Sequence, residues 1–308
     1  MLHPGAAGVN RPWHMAWDGG AQLGEAPCWL DGALFWSDIE RGELWRLAAA
    51  GVAADRLYHD RPVGGFTRQA DGALLLFRDR GNVVHWPLPG QPGEARTLVE
   101  ALPGEQASRF NDVLADPAGR VFCGTLSSPD KAGALYRLDP DGQIAAVLEG
   151  LGTPNGMGLT PTHDALYVTD TRARTIWRHD YDVDRGEVGA RTAFYVSDTP
   201  PARPDGLCVD VEGCVWTALY EGGAVLRLSP AGEVLERITL PARYTTSLCF
   251  GAPGRGELFV TSAGGPARAQ AGPHAGAVFR LEVNVEGGPV YDSRILLQNT
   301  GKNARNSS

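Results

Sequence analysis

The sequence predicts an all-β fold, a six-bladed β-propeller with four-stranded antiparallel blades around a central channel. Three observations predict it. A short apolar motif recurs six times, each copy is followed by a second strand-like motif, and no segment has convincing helical periodicity. The first motif reads GALFWSD, GALLLFRD, GRVFCGT, DALYVTD, GCVWTAL and GELFVTS, with aligned aliphatic residues Leu34, Leu74, Val121, Leu166, Val215 and Leu258. Steps of 40, 47, 45, 49 and 43 residues separate them, the period of a propeller blade.

The second motif reads GELWRLA, GNVVHWPL, GALYRLDP, RTIWRHDY, GAVLRLSP and GAVFRLEV. Its apolar–polar alternation predicts strands, and the flanking Gly, Asp and Pro predict tight turns. Further β-rich runs, such as EVLERITL at 233–240 and the stretch around Phe194 to Val196, supply outer strands. One such sheet cannot bury both of its faces, whereas six packed radially can. The ring is expected to close through a strand near His14–Trp17, with a competing strand at Tyr291–Leu297. The expected division is an irregular N-terminal extension at 1–12, one propeller domain at 13–300 and a disordered tail at 301–308.

Composition narrows the function classes. Of 308 residues, 43% are hydrophobic and 21% charged, as in a globular protein. The net charge of −8, without a Lys/Arg cluster, argues against a nucleic-acid partner. No stretch reaches membrane-spanning length and no secretory signal pattern opens the chain, so no membrane partner and a cytoplasmic location are expected. Oligomeric state is unreadable. The five cysteines form no CxxC and no even framework, which favours free thiols. The seven histidines show no HExxH or paired spacing.

The first strand of each blade lines a propeller channel. Stepping back 9 to 11 residues from the aligned aliphatics gives Glu25, Gly64, Asn111, Asn155, Asp205 and Ser247. The motifs GEAP, PNG and PDG suggest tight turns that aim side chains into the channel mouth. Two carboxylates and two amides on one axis repel and desolvate one another unless a cation joins them. Oxygen donors of this kind suit Ca²⁺, Mg²⁺ or Mn²⁺, and carboxylates also hold Zn²⁺.

The blocks LGEAPCW (23–29), RFNDVLADPAGRVFCGT (109–125), PNGMGLT (154–160), RPDGLCVDVEGCVWTALYEGGAVLRLSP (203–230) and TTSLCFG (245–251) resemble the gluconolactonase family, also called the regucalcin or senescence-marker-protein family. The resemblance runs from about Gln22 to Leu281. It implies the same six-bladed propeller and a metal-dependent opening of a sugar (aldono) lactone to the aldonic acid. It also implies one divalent ion (Ca, Zn, Mn, Mg or Fe) held by Glu25, Asn155 and Asp205, substrate contacts from Arg109 and Asn111, and Asp205 as general base. A carboxylate bound to a cation is a weaker base, so Asp205 either leaves the ion during turnover or only steers the attacking water.

One departure from the family concerns a loop that carries an acidic sugar contact in some members. Here it is the shorter GTLSSPDKAGALY with Pro129, where Ser127, Ser128 and Asp130 are the available substitutes. Alternatives are another metal-dependent propeller hydrolase, acting on phosphotriesters or aryl esters, and a non-enzymatic calcium-binding or interaction propeller. Other polar residues take structural readings. Asp112 faces away from the channel under strict alternation, and Asp38 and Asp170 share a repeated turn role. His163 and His179 are solvated, Cys208 and Cys214 are small packing residues, and Trp36, Trp45, Trp86, Trp177 and Trp216 pack between blades.

Overall fold

A computed structural model describes residues 11–49, 53–265 and 268–297; the expected tail at 301–308 lies outside the described residues. Six four-stranded sheets form, five of them simple antiparallel meanders in chain order. Their innermost strands are Gly24–Leu30, Val63–Arg68, Phe110–Ala115, Pro154–Leu159, Arg203–Val209 and Thr245–Phe250, numbered here as blades 1 to 6. The sixth blade takes its outermost strand from the other end of the chain. Trp13–Trp17 pairs antiparallel with Val278–Glu282, placing Trp13 opposite Leu281 and Trp17 opposite Val278.

Ring closure therefore uses the N-terminal strand, and Tyr291–Leu297 forms none. That segment is lashed across the ends of blades 2 and 3 instead. Ser293 bridges Gln69, and Asp292 takes the Arg68 guanidinium at 2.7 Å. Arg294 N donates to Gly119 O at 2.9 Å. Among the described residues the only helix is the single turn Arg268–Ala271.

The repeat motif is apolar at successive positions because both faces of each blade are covered. In blade 1, Leu34 and Trp36 pack toward Phe259 and Val278 of blade 6, whereas Phe35 packs toward Val63 and Phe66 of blade 2. Six apolar clusters result among the described residues, one at each junction between neighbouring blades. All six aligned aliphatics are fully buried. Each contributes about 2 kcal/mol relative to an exposed position.

Trp36 and Trp216 are buried at these junctions, and Trp36 stacks on Trp45 with centroids 6.4 Å apart. Asp38 and Asp170 have the repeated structural role expected of them. Each carboxylate accepts two backbone N–H groups just ahead of its innermost strand, from Gln22 and Leu23 and from Gly152 and Thr153. His179 corrects its expectation: it is buried in the third strand of blade 4, with Nδ1 3.3 Å from Gly189 O, and burial lowers its pKa.

Candidate active site

Every innermost strand carries a register shift near its start. It falls between Glu25 and Cys28, Val63 and Gly65, Phe110 and Val113, Pro154 and Met157, Pro204 and Leu207, and Thr245 and Leu248. A bulge breaks alternation and re-aims side chains. The PNG and PDG tripeptides are therefore bulged strand segments, which corrects their reading as tight turns. Their glycines serve close approach. A Cβ on Gly156 would lie 2.1 Å from Leu207 N, and one on Gly206 would lie 2.1 Å from Ser247 Oγ.

At the level of these bulges Glu25, Asn111, Asn155, Asp205 and Ser247 are all buried. Asn155 Nδ2 donates to Thr171 Oγ1 at 3.1 Å and to Asp205 Oδ1. Thr171 in turn donates to Pro204 O at 2.9 Å, stitching blade 4 to blade 5. Asn155 Oδ1 is buried and has no hydrogen-bond donor. Glu25 Oε2 accepts only the neighbouring Ala26 N–H, at 2.9 Å.

Asn111 Nδ2 donates to Pro154 O at 2.9 Å, and Asn111 Oδ1 accepts from Arg109 Nη1 at 2.7 Å. Arg109 Nη1 also reaches Phe110 O at 3.0 Å. Arg109 Nε and Nη2 keep no acceptor among the described residues.

The electrostatics match this crowding. Burial, followed by repulsion from Asp112 and Asp205, pushes the Glu25 carboxyl well above its ordinary range. Burial and then Asp112 do the same to Asp205. Burial lowers the Arg109 pKa, against the pull of Glu25, Glu40, Asp112 and Asp205.

Asp112 was misread by alternation. The bulge between Phe110 and Val113 turns it inward, where it is 8% exposed and burial raises its pKa to about 7. Thr171 was also missed, because it lies in a loop after a second strand and leaves no mark in the innermost-strand alignment. Gly64 holds the blade 2 position without a side chain, since a Cβ there would lie 1.9 Å from Phe110 O.

The short loop folds back on itself. Ser128 N donates to Lys131 O at 2.8 Å. Lys131 Nζ is tied to buried Glu105 and to the Tyr136 hydroxyl, the latter at 2.7 Å. No hydrogen bond or ion pair links Ser127, Ser128 or Asp130 to the cluster.

Two buried carboxyls and an undonated amide oxygen form a hard-oxygen donor set. Glu25, Asn155 and Asp205 fit one divalent cation, which would meet the unpaired oxygen and offset the carboxylate repulsion. A second group on blade 5, Asp210, Glu212 and Cys214, differs in kind. Its Asp210 already accepts from Arg227, from Trp216 Nε1 at 3.0 Å and from Cys214 N at 2.9 Å.

Residues 23–264 match the family model described as SMP-30/Gluconolactonase/LRE-like region. The chain belongs to this family. Pentonolactonase XacC of Haloferax volcanii is 42% identical over 289 residues, covering 91% of this chain and 97% of that protein. The 6-deoxy-6-sulfogluconolactonase of Pseudomonas putida is 34% identical, covering 86% and 92%. The crystal structure of a calcium-binding protein, regucalcin, from Agrobacterium tumefaciens superposes with a TM-score of 0.85 at 24% identity. That superposition covers 94% of this chain and all of the other, and it shows the shared fold. Among the described residues no helix is long and apolar enough to cross a membrane.

Proposed function

We propose that this SMP-30/gluconolactonase family member is a divalent-cation-dependent lactonase that opens an aldono-lactone to the aldonic acid. The observation that carries the reading is the buried, undonated Asn155 Oδ1, on an amide bonded to Asp205, whose carboxyl repels that of Glu25. Similarity to a pentonolactonase over nearly the whole of both chains supports the substrate class.

In this reading Glu25, Asn155 and Asp205 hold the ion. When bound, it polarises the lactone carbonyl oxygen and stabilises the negative charge that develops there. Asp205 accepts a proton from the attacking water. Arg109 is fixed by Asn111 and Phe110 O through Nη1, so Nε and Nη2 are free to donate to ring hydroxyls. That fork orients the ester for attack. Asn111, pinned between Arg109 and Pro154 O, sets the angle of the fork.

A panel of pentono- and hexono-lactones, a phosphotriester and an aryl ester separates the hydrolase classes when acid release is followed with and without a chelator. Chelator-sensitive turnover of lactones, with phosphotriester and aryl ester turned over poorly, is expected. Preferential phosphotriester turnover, or ion binding with no turnover of any ester, overturns the reading.

A further inference from the structure

From the bulge layer, at Asp112 and Ser247, the channel opens into a cavity of about 300 Å³. The strap at 288–291 covers its lower end, where His163 Nε2 meets the Tyr291 hydroxyl at 2.6 Å. Its size suits a small ligand rather than a macromolecular segment.

The wall chemistry is specific. Cys28, Cys208 and Cys249 lie opposite Phe35, Trp216 and Phe259, each the residue after an aligned aliphatic. The three thiols therefore occupy one level of the channel, on blades 5, 6 and 1, which are neighbours around the ring. Cys208 packs against the core between blades 5 and 6, as expected of it, but it is half-buried and also lines the cavity. Met157 adds a fourth sulfur. All three cysteines are free, and burial pushes the Cys28 thiol up to about 12. The sulfur-lined walls are thus polarizable, with no thiolate to draw a cation, and the charged residues Arg68 and Asp210 that also line the cavity are already paired, with Asp292 and Arg227.

Asp112 lines the same cavity near the bulge layer, and its carboxyl accepts no hydrogen bond from the described residues. A carboxyl without a protein donor in a mostly apolar cavity gains from a donor that a ligand brings, since such walls give water few partners. Sulfur makes favourable contacts with the edges of aromatic rings. One class of molecule satisfies both features. We propose that the lower channel is a second small-molecule site for an uncharged aromatic alcohol, its ring among the sulfurs of Cys28, Met157, Cys208 and Cys249 and its hydroxyl donating to Asp112. A polyhydroxylated lactone does not fit this description, since one acceptor would face many donors.

The test is calorimetric titration of the full, cation-loaded chain with 2-naphthol and with its methyl ether, which lacks the donor. One 2-naphthol per chain is expected, with the ether about ten-fold weaker, the loss of one hydrogen bond to a buried carboxyl. Saturating aldono-lactone should leave the affinity unchanged. Cys249→Phe fills the cavity and should abolish binding; Cys28→Leu provides the same test should the first variant fail to fold. The proposal is overturned by no binding to the wild-type chain, by equal affinity for the ether, by displacement with lactone, or by wild-type affinity in a folded cavity-filled variant.

Discussion

Asn155 and Asp205, from neighbouring blades and 50 residues apart in the chain, meet through a hydrogen bond from the Asn155 amide nitrogen to the Asp205 carboxylate. The bond fixes which end of the amide faces the channel. Its oxygen is left without a donor, and the Glu25 carboxyl lies within electrostatic reach of Asp205. In the proposed reading, that relationship makes two strand residues part of a cation site.

Asn155→Leu keeps the bulk and removes the unpaired oxygen. Divalent-ion affinity should fall, and lactone turnover should drop about 100-fold or more, the scale of losing one stabiliser of transition-state charge. Isothermal titration with the ion and initial-rate kinetics check both. Turnover within a few-fold of wild type would show that Asn155 is not a ligand.

Asp205→Asn retains an oxygen donor but cannot take a proton. Expected are near-normal ion binding and a kcat lower by about 10²- to 10⁴-fold. Asp205→Ala should lose the ion as well. Rapid turnover by an ion-loaded Asp205→Ala variant would remove Asp205 from both roles. Residual Asp205→Asn activity that climbs with pH would assign it the steering role instead.

Arg109→Lys replaces a planar fork with a point charge and cannot grip Asn111 Oδ1 and Phe110 O while presenting two further donors. KM for lactone should rise about ten-fold with ion affinity unchanged. A change in ion affinity alone would make Arg109 a support of the metal site rather than a substrate contact.

The ion-free protein should lose stability as pH rises. Burial raises the carboxyl pKa values of Glu25, Asp112 and Asp205, Asp112 to about 7. The unfolded chain releases these protons near pH 4, so from about pH 4 to 7 the folded state binds more protons and unfolding becomes easier. Thermal melts in chelator at pH 5 and 7.5 should show the lower Tm at pH 7.5. Saturating cation should remove the difference, and Asp112→Asn should shrink it. A higher Tm at pH 7.5 in chelator contradicts the assigned shifts.

Gly156→Ala tests the close approach of blades 4 and 5. The added Cβ meets Leu207 N at 2.1 Å, and backbone cannot step aside cheaply. A loss of about 3 kcal/mol in denaturant unfolding is expected.

The fold was legible because a propeller repeats its apolar motif once per blade, so Leu34, Leu74 and their counterparts align without any structural knowledge. The positions of Glu25, Asn111, Asn155 and Asp205 in the innermost strands were legible for the same reason, since each sits 9 to 11 residues before an aligned residue. Asp112 was not, because the bulge after Phe110 cancels the alternation from which its direction was read. Thr171 acts from a loop, outside the aligned strand. The fate of 291–297 was hidden because its contacts are side-chain and single-bridge links to blades 2 and 3 rather than a ladder with its own pattern. Cys208 read as a small packing residue, and the level in the channel that it shares with Cys28 and Cys249 is visible only from the strand registers.

The most direct measurement is titration of the metal-stripped chain with a divalent ion while aldono-lactone hydrolysis is followed. Activity should be absent in chelator, rise linearly with added ion and saturate at one ion per chain, and Asn155→Leu should not be rescued at the same concentrations. Full lactone turnover in chelator, or equal rescue of Asn155→Leu, would contradict a cation held by Glu25, Asn155 and Asp205 as the centre of catalysis.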